Sequence, residues 1–278
     1  MFFTDEEIDR LIAEDLPYID LTTHALGIEK EPGAIRFTAR TAGVAACTEE
    51  AARILERAGA STTFCLESGE SFEAGTLLLE AQGEAKALHA AWKVCQNMLE
   101  YAGGIATYTR AMAEAAGEVP IFTTRKSPPG FKKIAMKSVM SGGGHPHRLG
   151  LSESFLLFDN HRVFLEPGRM AEQVGTLARQ GALLEQRVAV ETSSLEEALD
   201  FAERGVRLFQ LEKFRPGPLA EAVRRLKALY PDIRLLATGG IRLENAAEYA
   251  STGVDGLITT APYYYARPVD IGVRMERL

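Results

Sequence analysis

The chain has 278 residues, of which 46% are hydrophobic and 25% charged, and its formal net charge at pH 7 is −7. A chain of this length folds as one large or two smaller domains and buries enough surface to need no disulfide or structural metal. Overall acidity argues against nucleic acid as the main partner. The three cysteines lack zinc-site spacing, the N-terminus is unlike a signal peptide, and no apolar run is long enough to span a bilayer. We therefore expect a cytoplasmic protein that binds neither membrane nor nucleic acid.

The first hundred residues have the pattern of a small α+β unit. Thr4-Asp5-Glu6-Glu7 is a capping-box sequence, which predicts that a helix begins there. A long helix is predicted from residue 84 to about 117, with an interruption at Gly103-Gly104. Between them, hydrophobic periodicity and turn residues predict a helix over 49–58 and strands over 35–40, 62–66 and 76–81.

After Pro120 the pattern changes to alternating strands and helices. Apolar strand-like runs recur over 121–124, 155–158, 188–191, 208–211, 235–237 and 256–259. Helical segments between them include 194–204, 216–229 and 243–251. Such alternation predicts parallel βα units with buried strands, arranged as a barrel or a doubly wound sheet.

Polar and glycine residues follow each of these predicted strands. In order they are Arg125-Lys126, Asp159-Asn160-His161, Glu191, Glu212-Lys213, Thr238-Gly239-Gly240 and Thr259-Thr260. The carboxyl ends of parallel strands converge on one mouth, where catalytic groups collect. The sequence therefore predicts one cavity lined by cations, carboxylates and a glycine turn.

Residues 123–148 form the most basic stretch of the chain. They include six Lys or Arg residues (Arg125, Lys126, Lys132, Lys133, Lys137 and Arg148), two histidines and no acid. Arg offers a planar bidentate fork and Lys a point charge, and both suit phosphate or carboxylate oxygens. This pattern favours an anion pocket over a solvated loop.

The run Gly142-Gly143-Gly144 leads into His145-Pro146-His147-Arg148. A flexible linker and a metal site at the two histidines are alternative interpretations, because alternate residues of an extended segment share a face. Contact of His147 and Arg148 with an anion is the interpretation that we favour, since no Cys or acid lies close in sequence.

Two carboxylates and a glycine turn complete the candidate site. Glu191 and Glu212 each end an apolar run, where a carboxylate is costly unless it is paired or coordinated. They are interpreted either as ion pairs with Lys or Arg or as ligands of Mg²⁺ or of sugar hydroxyls. Thr238-Gly239-Gly240, with Thr259 and Thr260 on the next strand, predicts a phosphate site at a helix N-terminus.

These motifs, in this order, resemble the quinolinate phosphoribosyltransferase family, also called carboxylating nicotinate-nucleotide pyrophosphorylases. The resemblance covers essentially the whole chain and includes the ModD branch of the family, which is associated with molybdenum-transport gene clusters. The matching residues are Asn97, Gly104-Ile105-Ala106-Thr107, Thr124-Arg125-Lys126, Pro129-Gly130, Gly142-Gly143-Gly144, His147-Arg148-Leu149-Gly150-Leu151, Asp159-Asn160-His161, Glu191, Gly239-Gly240-Ile241 and Asp270-Ile271.

The resemblance implies an α/β fold with an N-terminal α/β sandwich domain and an open α/β barrel of parallel strands. It places the first domain at residues 1–110, rejoined by 265–278, and the barrel at 111–264. It also implies a homodimer with shared active sites. The family reaction joins a pyridine nitrogen to the ribose of phosphoribosyl pyrophosphate, with Mg²⁺, and quinolinate then loses carbon dioxide.

The family roles carry over to matching positions. Arg125, His147 and Arg148 would contact the acid substrate, and Lys126, Glu191 and Glu212 the ribose and the magnesium pyrophosphate. Thr238, Gly239, Gly240, Thr259 and Thr260 would hold the 5′-phosphate.

Two positions depart from the family pattern at the acid substrate. Lys93 replaces an arginine that reaches quinolinate across the dimer, and Phe158 replaces a lysine just before Asp159-Asn160-His161. Loss of these contacts argues against quinolinate as the acceptor. We therefore expect a transferase for a less acidic nitrogen heterocycle. The alternative is a non-catalytic oxyanion-binding accessory protein of molybdenum uptake.

Overall fold

The computed structural model describes residues 1, 3–166, 169–183 and 188–278. Their contacts divide the chain into two compact units. The first unit comprises residues 1–110, 127–143 and 262–278, and the second comprises 111–126 and 144–261. The predicted domains share the break after residue 110 but assign 127–143 to the second domain, and that domain organisation stays a prediction.

Helices and strands alternate through most of the chain. The helices are α1 (Asp5–Asp15), α2 (Leu21–Leu26), α3 (Thr48–Ala58), α4 (Ala85–Ala116), α5 (Lys132–Ser141), α6 (Asp159–Arg162), α7 (Met170–Leu183), α8 (Leu195–Glu203), α9 (Pro216–Leu229), α10 (Leu243–Ala250) and α11 (Ala261–Tyr264). The strands are β1 (Pro32–Ala39), β2 (Gly43–Val44), β3 (Ser61–Cys65), β4 (Ser71–Phe72), β5 (Leu77–Glu84), β6 (Ile121–Thr123), β7 (His145–Pro146), β8 (Phe155–Leu157), β9 (Val188–Thr192), β10 (Leu208–Glu212), β11 (Arg234–Thr238), β12 (Gly256–Thr259) and β13 (Ile271–Arg277).

The first unit contains a four-stranded antiparallel sheet in the order β13-β1-β5-β3. Its apolar side chains, among them Ile35 and Phe37 of β1, join Ile54 and Leu55 of α3 and Leu88 of α4 in one buried core. Thr4 caps α1 through the predicted capping box, in which its hydroxyl accepts from the backbone N–H of Glu7. The C-terminal strand β13 closes this sheet, so the last residues of the chain belong to the first unit.

The predicted break in the long helix at Gly103-Gly104 is wrong. Helix α4 runs unbroken for 32 residues. The two glycines instead admit a neighbouring segment. A Cβ on Gly103 would lie 2.8 Å from Val269 Cγ2, and one on Gly104 would lie 3.0 Å from Pro268 Cα and closer still to the backbone of Arg267. A helix tolerates glycine at a moderate cost, and here close backbone approach requires it.

The second unit contains a seven-stranded sheet in the order β7-β6-β12-β11-β10-β9-β8, in which every pair is parallel. Strands β9 to β12 are almost wholly buried, as their apolar sequences predict. The six predicted strands are present, and β7 and β8 lie at the two ends of the sheet. The prediction of an α/β fold with an N-terminal sandwich and an open barrel is therefore confirmed. Within the described residues, no helix has the length and apolar character needed to span a membrane.

Candidate active site

The ends of the central parallel strands carry polar side chains on one face of the sheet. Glu191 lies beside Gln210 in the β9–β10 pair, and Glu212 lies beside Thr238 in the β10–β11 pair. Side chains two residues apart on a strand share a face, as do side chains side by side in a parallel pair. Glu191, Gln210, Glu212 and Thr238 therefore face the same side, as the strand-end pattern predicted.

The two carboxylates of this face repel each other in a half-buried setting. Burial first, and then the charges of Glu212 and Asp159, raise the pKa of Glu191 to about 7. Lys213 and Arg162 act in the opposite direction. The ammonium of Lys213 lies 2.8 Å from Glu212 Oε1. Three acids thus share one neighbourhood with two cations.

His147 and Arg148 lie at the edge of the sheet beside β6. The backbone N–H of His147 donates to Thr123 O at 2.9 Å, and Gln210 Nε2 donates to His147 Nε2 at 3.0 Å. Burial, followed by the charge of Arg148, lowers the pKa of His147, so the imidazole is neutral near pH 7. Arg148 is only 7% exposed. Its guanidinium donates to Ser154 O, and Arg125 is near enough to lower its pKa, although burial is the larger cause.

The glycine turn after β11 has the backbone that a close approach requires. Gly239 and Gly240 have φ of +91° and +76°, in the left-handed region that favours glycine. A Cβ on Gly239 would lie 2.8 Å from Lys213 Cγ. Helix α10 begins three residues after Gly240, which gives this turn the helix N-terminus that the phosphate prediction uses.

The two threonines predicted to donate to phosphate differ in the structure. Thr259 is 4% exposed, and its hydroxyl donates to Ile241 O at 2.6 Å. Its proton is therefore already engaged in a hydrogen bond within the protein. The hydroxyl of Thr260 shares a 2.9 Å hydrogen bond with that of Thr124, at the end of β6. Thr259 therefore supports the turn after β11, while the side chain of Thr260 links the end of β12 to the end of β6.

Phe158 follows β8 and stacks on His161. The ring centroids are 5.6 Å apart with an interplanar angle of 17°. The backbone N–H of Phe158 donates to His161 Nδ1 at 3.0 Å. Neutral His161 consequently carries its proton on Nε2. The pair forms an aromatic wall in place of a cation.

The basic stretch divides between the two units, and the prediction that it forms one anion pocket stays a prediction. Lys132, Lys133 and Lys137 lie on α5 in the first unit, whereas Arg125, Lys126 and Arg148 lie in the second. Lys133 pairs with Glu7 at 2.6 Å, and Lys137 pairs with Glu49 and Glu50. Lys133 and Lys137 therefore help to hold α5 against the rest of the first unit.

The three remaining predicted residues differ in their surroundings. Arg125 and Lys126 are exposed, and the backbone N–H of Lys126 donates to Thr124 Oγ1 at 3.3 Å. Lys93 lies in the first unit, on α4, where its ammonium donates to Gln96 Oε1 at 2.9 Å and lies 4.3 Å from the Trp92 ring centroid. The alternative metal site at His145 and His147 gains no support, because the His145 ring lies tilted by 41° against Phe122 and His147 accepts from Gln210.

Three residues of this site were missed by the sequence reasoning. Gln210 is 3% exposed and holds His147, and a lone amide inside the apolar run 208–211 was a usable signal. Arg162 donates to the backbone O of Glu191 and pairs with Glu197, yet its sequence context gives no hint of either partner. Lys213 was noted only as a strand-end neighbour of Glu212.

The two carboxylates of this site suit a divalent cation whose other ligands come from water and substrate. Among the described residues, no group of three or more His, Cys, Asp or Glu side chains is arranged as a complete ligand set. Mg²⁺ is commonly held by one or two carboxylates, with water and substrate phosphates supplying the other oxygens. Glu191 and Glu212 meet that requirement, and their mutual repulsion is what such a cation would relieve.

Known protein families match most of the chain, including residues of both units. Residues 20–103 match the family described as quinolinate phosphoribosyl transferase, N-terminal domain, and residues 105–274 match its C-terminal domain. The putative pyrophosphorylase ModD of Pasteurella multocida is 38% identical over 100% of this chain and 99% of its own length. The ModD protein of Rhodobacter capsulatus is 42% identical over 91% of this chain and 98% of its own.

A solved structure has the same fold over the full length. The crystal structure of NadC from Streptococcus pyogenes superposes with a TM-score of 0.89 at 24% identity and covers 100% of this chain and 99% of that one. At that level of identity the match concerns the fold. The sequence matches concern the family.

Proposed function

The chain belongs to the quinolinate phosphoribosyltransferase family and is a pentosyltransferase of that type, and from this premise we propose that it transfers ribose 5-phosphate from phosphoribosyl pyrophosphate to a nitrogen heterocycle. The observation that carries the proposal is the shared face of Glu191, Gln210, Glu212 and Thr238, which ends at the Gly239-Gly240 turn. It supplies carboxylates and a phosphate turn at neighbouring strand ends. This is the arrangement that a sugar phosphate with a pyrophosphate leaving group requires.

In the proposed reaction the ring nitrogen uses its lone pair to form a bond to ribose carbon 1. The bond from carbon 1 to the pyrophosphate oxygen breaks, and its electron pair leaves with pyrophosphate. Mg²⁺, when bound, would neutralise the phosphate oxygens of the leaving group. Glu191 and Glu212 would hold that ion and the ribose hydroxyls, and Lys126 would face the pyrophosphate.

The 5′-phosphate is proposed to lie over the Gly239-Gly240 turn. Both glycines have positive φ and lack a Cβ, which lets the backbone approach an anion closely, and α10 begins three residues after Gly240. Thr238 and Thr260 flank this turn as further donors. Thr259 supports it from inside, through its bond to Ile241 O.

The acceptor is proposed to be an aromatic nitrogen heterocycle with fewer acidic groups than quinolinate. Arg125, Arg148 and neutral His147 suit one carboxylate or a comparable anionic group. Phe158 offers an aromatic face where a second carboxylate would need a cation. A diacid placed there would lose the partner of a desolvated charge.

The test is a pyrophosphate-release assay with phosphoribosyl pyrophosphate, Mg²⁺ and a panel of pyridine and related heterocycles that carry no, one or two carboxylates. We expect turnover with a member that carries at most one carboxylate. Arg125→Ala should lower kcat/KM for that acceptor by about a hundredfold, because a charged contact to the acid is removed. Arg224→Ala, which removes an exposed arginine of α9, is the matched control and should leave activity unchanged.

The two candidate functions separate in one further measurement. If phosphoribosyl pyrophosphate with Mg²⁺ shows no binding by calorimetry, the transferase proposal fails. Should molybdate displace a bound phosphate probe while no heterocycle releases pyrophosphate, the oxyanion-binding alternative takes its place.

A further inference from the structure

Lys213 has a backbone conformation that lysine rarely adopts. Its φ is +57°, and among the described residues only Cys47 is another non-glycine residue with positive φ. An L-residue adopts this conformation at a cost, because its Cβ comes close to the following carbonyl oxygen. The backbone N–H of Lys213 donates to Thr238 O at 2.8 Å, so the end of β11 holds it there. Such strain persists where the surrounding structure fixes it, often at functional sites.

The backbone conformation of Lys213 directs its side chain over the glycine turn and back to the acids. Lys213 Cγ lies 2.8 Å from where a Cβ on Gly239 would stand. The ammonium group is 2.8 Å from Glu212 Oε1 and is near enough to Glu191 and Asp159 to interact with both charges. The side chain is 75% exposed, whereas that of Glu212 is 27% exposed. The cation therefore lies on the solvent side of the carboxylate cluster, which we define as Glu191, Glu212 and Asp159.

Arg162, the other cation of this neighbourhood, is committed elsewhere. Its side chain is 10% exposed, and its two terminal nitrogens bond to Glu197, Asp159 and the backbone O of Glu191. It lies under the cluster and is held by several partners. Among the described residues Lys213 has one ion-pair partner, Glu212, and its four-carbon stem is flexible, so it is the cation that a ligand can displace.

We propose that Lys213 is the resident counter-cation of the carboxylate cluster and competes with a divalent cation for Glu212. The inference rests on the proposed function only in treating Glu191 and Glu212 as the residues that hold the metal. In the protein without metal, the ammonium balances the acids. When a metal pyrophosphate binds, the ammonium moves off Glu212 and faces the phosphate oxygens instead. Lys213 thus makes binding of the bare metal weak and couples it to the arrival of the anion.

The competition is tested by titrating the full-length protein with Mn²⁺, a paramagnetic stand-in for Mg²⁺, without substrate. Free Mn²⁺ is followed by electron paramagnetic resonance. We expect Lys213→Met to lower the Mn²⁺ dissociation constant about tenfold, since a single positive charge near a divalent ion is removed from a partly solvated site. Lys213→Arg keeps the charge and should stay within about twofold of the unaltered protein.

Two further variants keep the result interpretable. Lys213→Gly also removes the charge but favours the left-handed backbone, so it preserves the turn if methionine disturbs it. Both variants should shift the constant in the same direction. Lys227→Met, which removes the partner of Asp255 in the same unit, is the control and should have no effect.

Equal Mn²⁺ affinity in the unaltered protein and both charge-removing variants would overturn the inference, and so would an absence of measurable binding in all of them. The measurement needs neither phosphoribosyl pyrophosphate nor an acceptor. If the protein failed the pyrophosphate-release assay but the Lys213 variants bound Mn²⁺ more tightly as expected, the transferase proposal would be wrong and the role of Lys213 as counter-cation would stand.

Discussion

At the scale of single residues, the proposed acceptor preference depends on Phe158 and on His161, against which it stacks. Phe158 is half-buried, and its backbone N–H fixes the tautomer of His161. The stacked pair is planar and uncharged when His161 is neutral. A planar aromatic wall favours a ring and supplies no cation to a second carboxylate. We therefore propose that this one side chain at the end of β8 discriminates between acceptor classes.

Phe158→Lys should restore affinity for the diacid. Quinolinate binding, measured by calorimetry at fixed salt, is expected to tighten about thirtyfold, which corresponds to roughly 2 kcal/mol for a newly paired, desolvated carboxylate. Phe164→Lys makes the same change at a residue that is 88% exposed on the same unit and should have little effect. An equal response of the two variants would contradict the role given to Phe158.

At the scale of elements, α5 shows how a basic stretch can be structural. Lys137 is 15% exposed and bonds to Glu49 at 2.6 Å and to Glu50 at 2.5 Å. Glu49 also accepts from the hydroxyl of Ser68. Burial acts to raise the pKa of Glu49, but these hydrogen bonds outweigh it and lower the pKa to about 2. The network ties α5 to the start of α3 within the first unit.

Lys137→Met should destabilise the protein by about 3 kcal/mol, because it leaves the buried carboxylate of Glu50 without its cation. Urea unfolding at pH 7 measures the change in the free energy of unfolding. The matched control is Lys133→Met on the same helix, where the side chain of the partner Glu7 is 33% exposed, against 6% for Glu50, and the loss is expected to be small. Similar losses for both lysines would show that the Lys137 network contributes little.

At the scale of the whole molecule, we propose a homodimer whose active sites are shared between subunits, as the family resemblance implies. Lys93, the predicted acceptor contact of the first unit, lies on α4, and the other predicted contacts lie in the second unit. Closed two-fold dimers give each subunit the same interface. In the proposed dimer, Lys93 of one chain serves the site of the other.

Sedimentation equilibrium should therefore give twice the mass of the chain. Lys93→Glu and Glu191→Gln proteins, each inactive alone, should regain about a quarter of the activity when mixed and allowed to exchange subunits, since half the dimers are mixed and each holds one intact site. Each variant mixed with itself provides the control. A monomeric mass, or mixtures that stay inactive despite exchange, would contradict shared sites.

The sequence by itself determined which chemical groups stand at the ends of successive strands in the second unit. Its six apolar runs became strands because each is short, buried on both faces and ended by polar or glycine residues, and those local signals survive in the parallel sheet. Glu191, Glu212 and Gly239 were predicted at strand ends for the same reason, and they lie there. The family resemblance also came from these local motifs.

Tertiary structure alone decided which charges work together. The basic residues of 123–148 separate into two units because α5 packs on α3, a contact between residues 87 or 88 positions apart in the chain. Gln210 of β10 meets His147, which follows β7, although three strands lie between β7 and β10 in the sheet order. Lys213 takes a left-handed backbone beside Gly239 because β10 and β11 lie side by side. Such pairings depend on long-range packing and hydrogen bonds, which no local pattern of residues encodes.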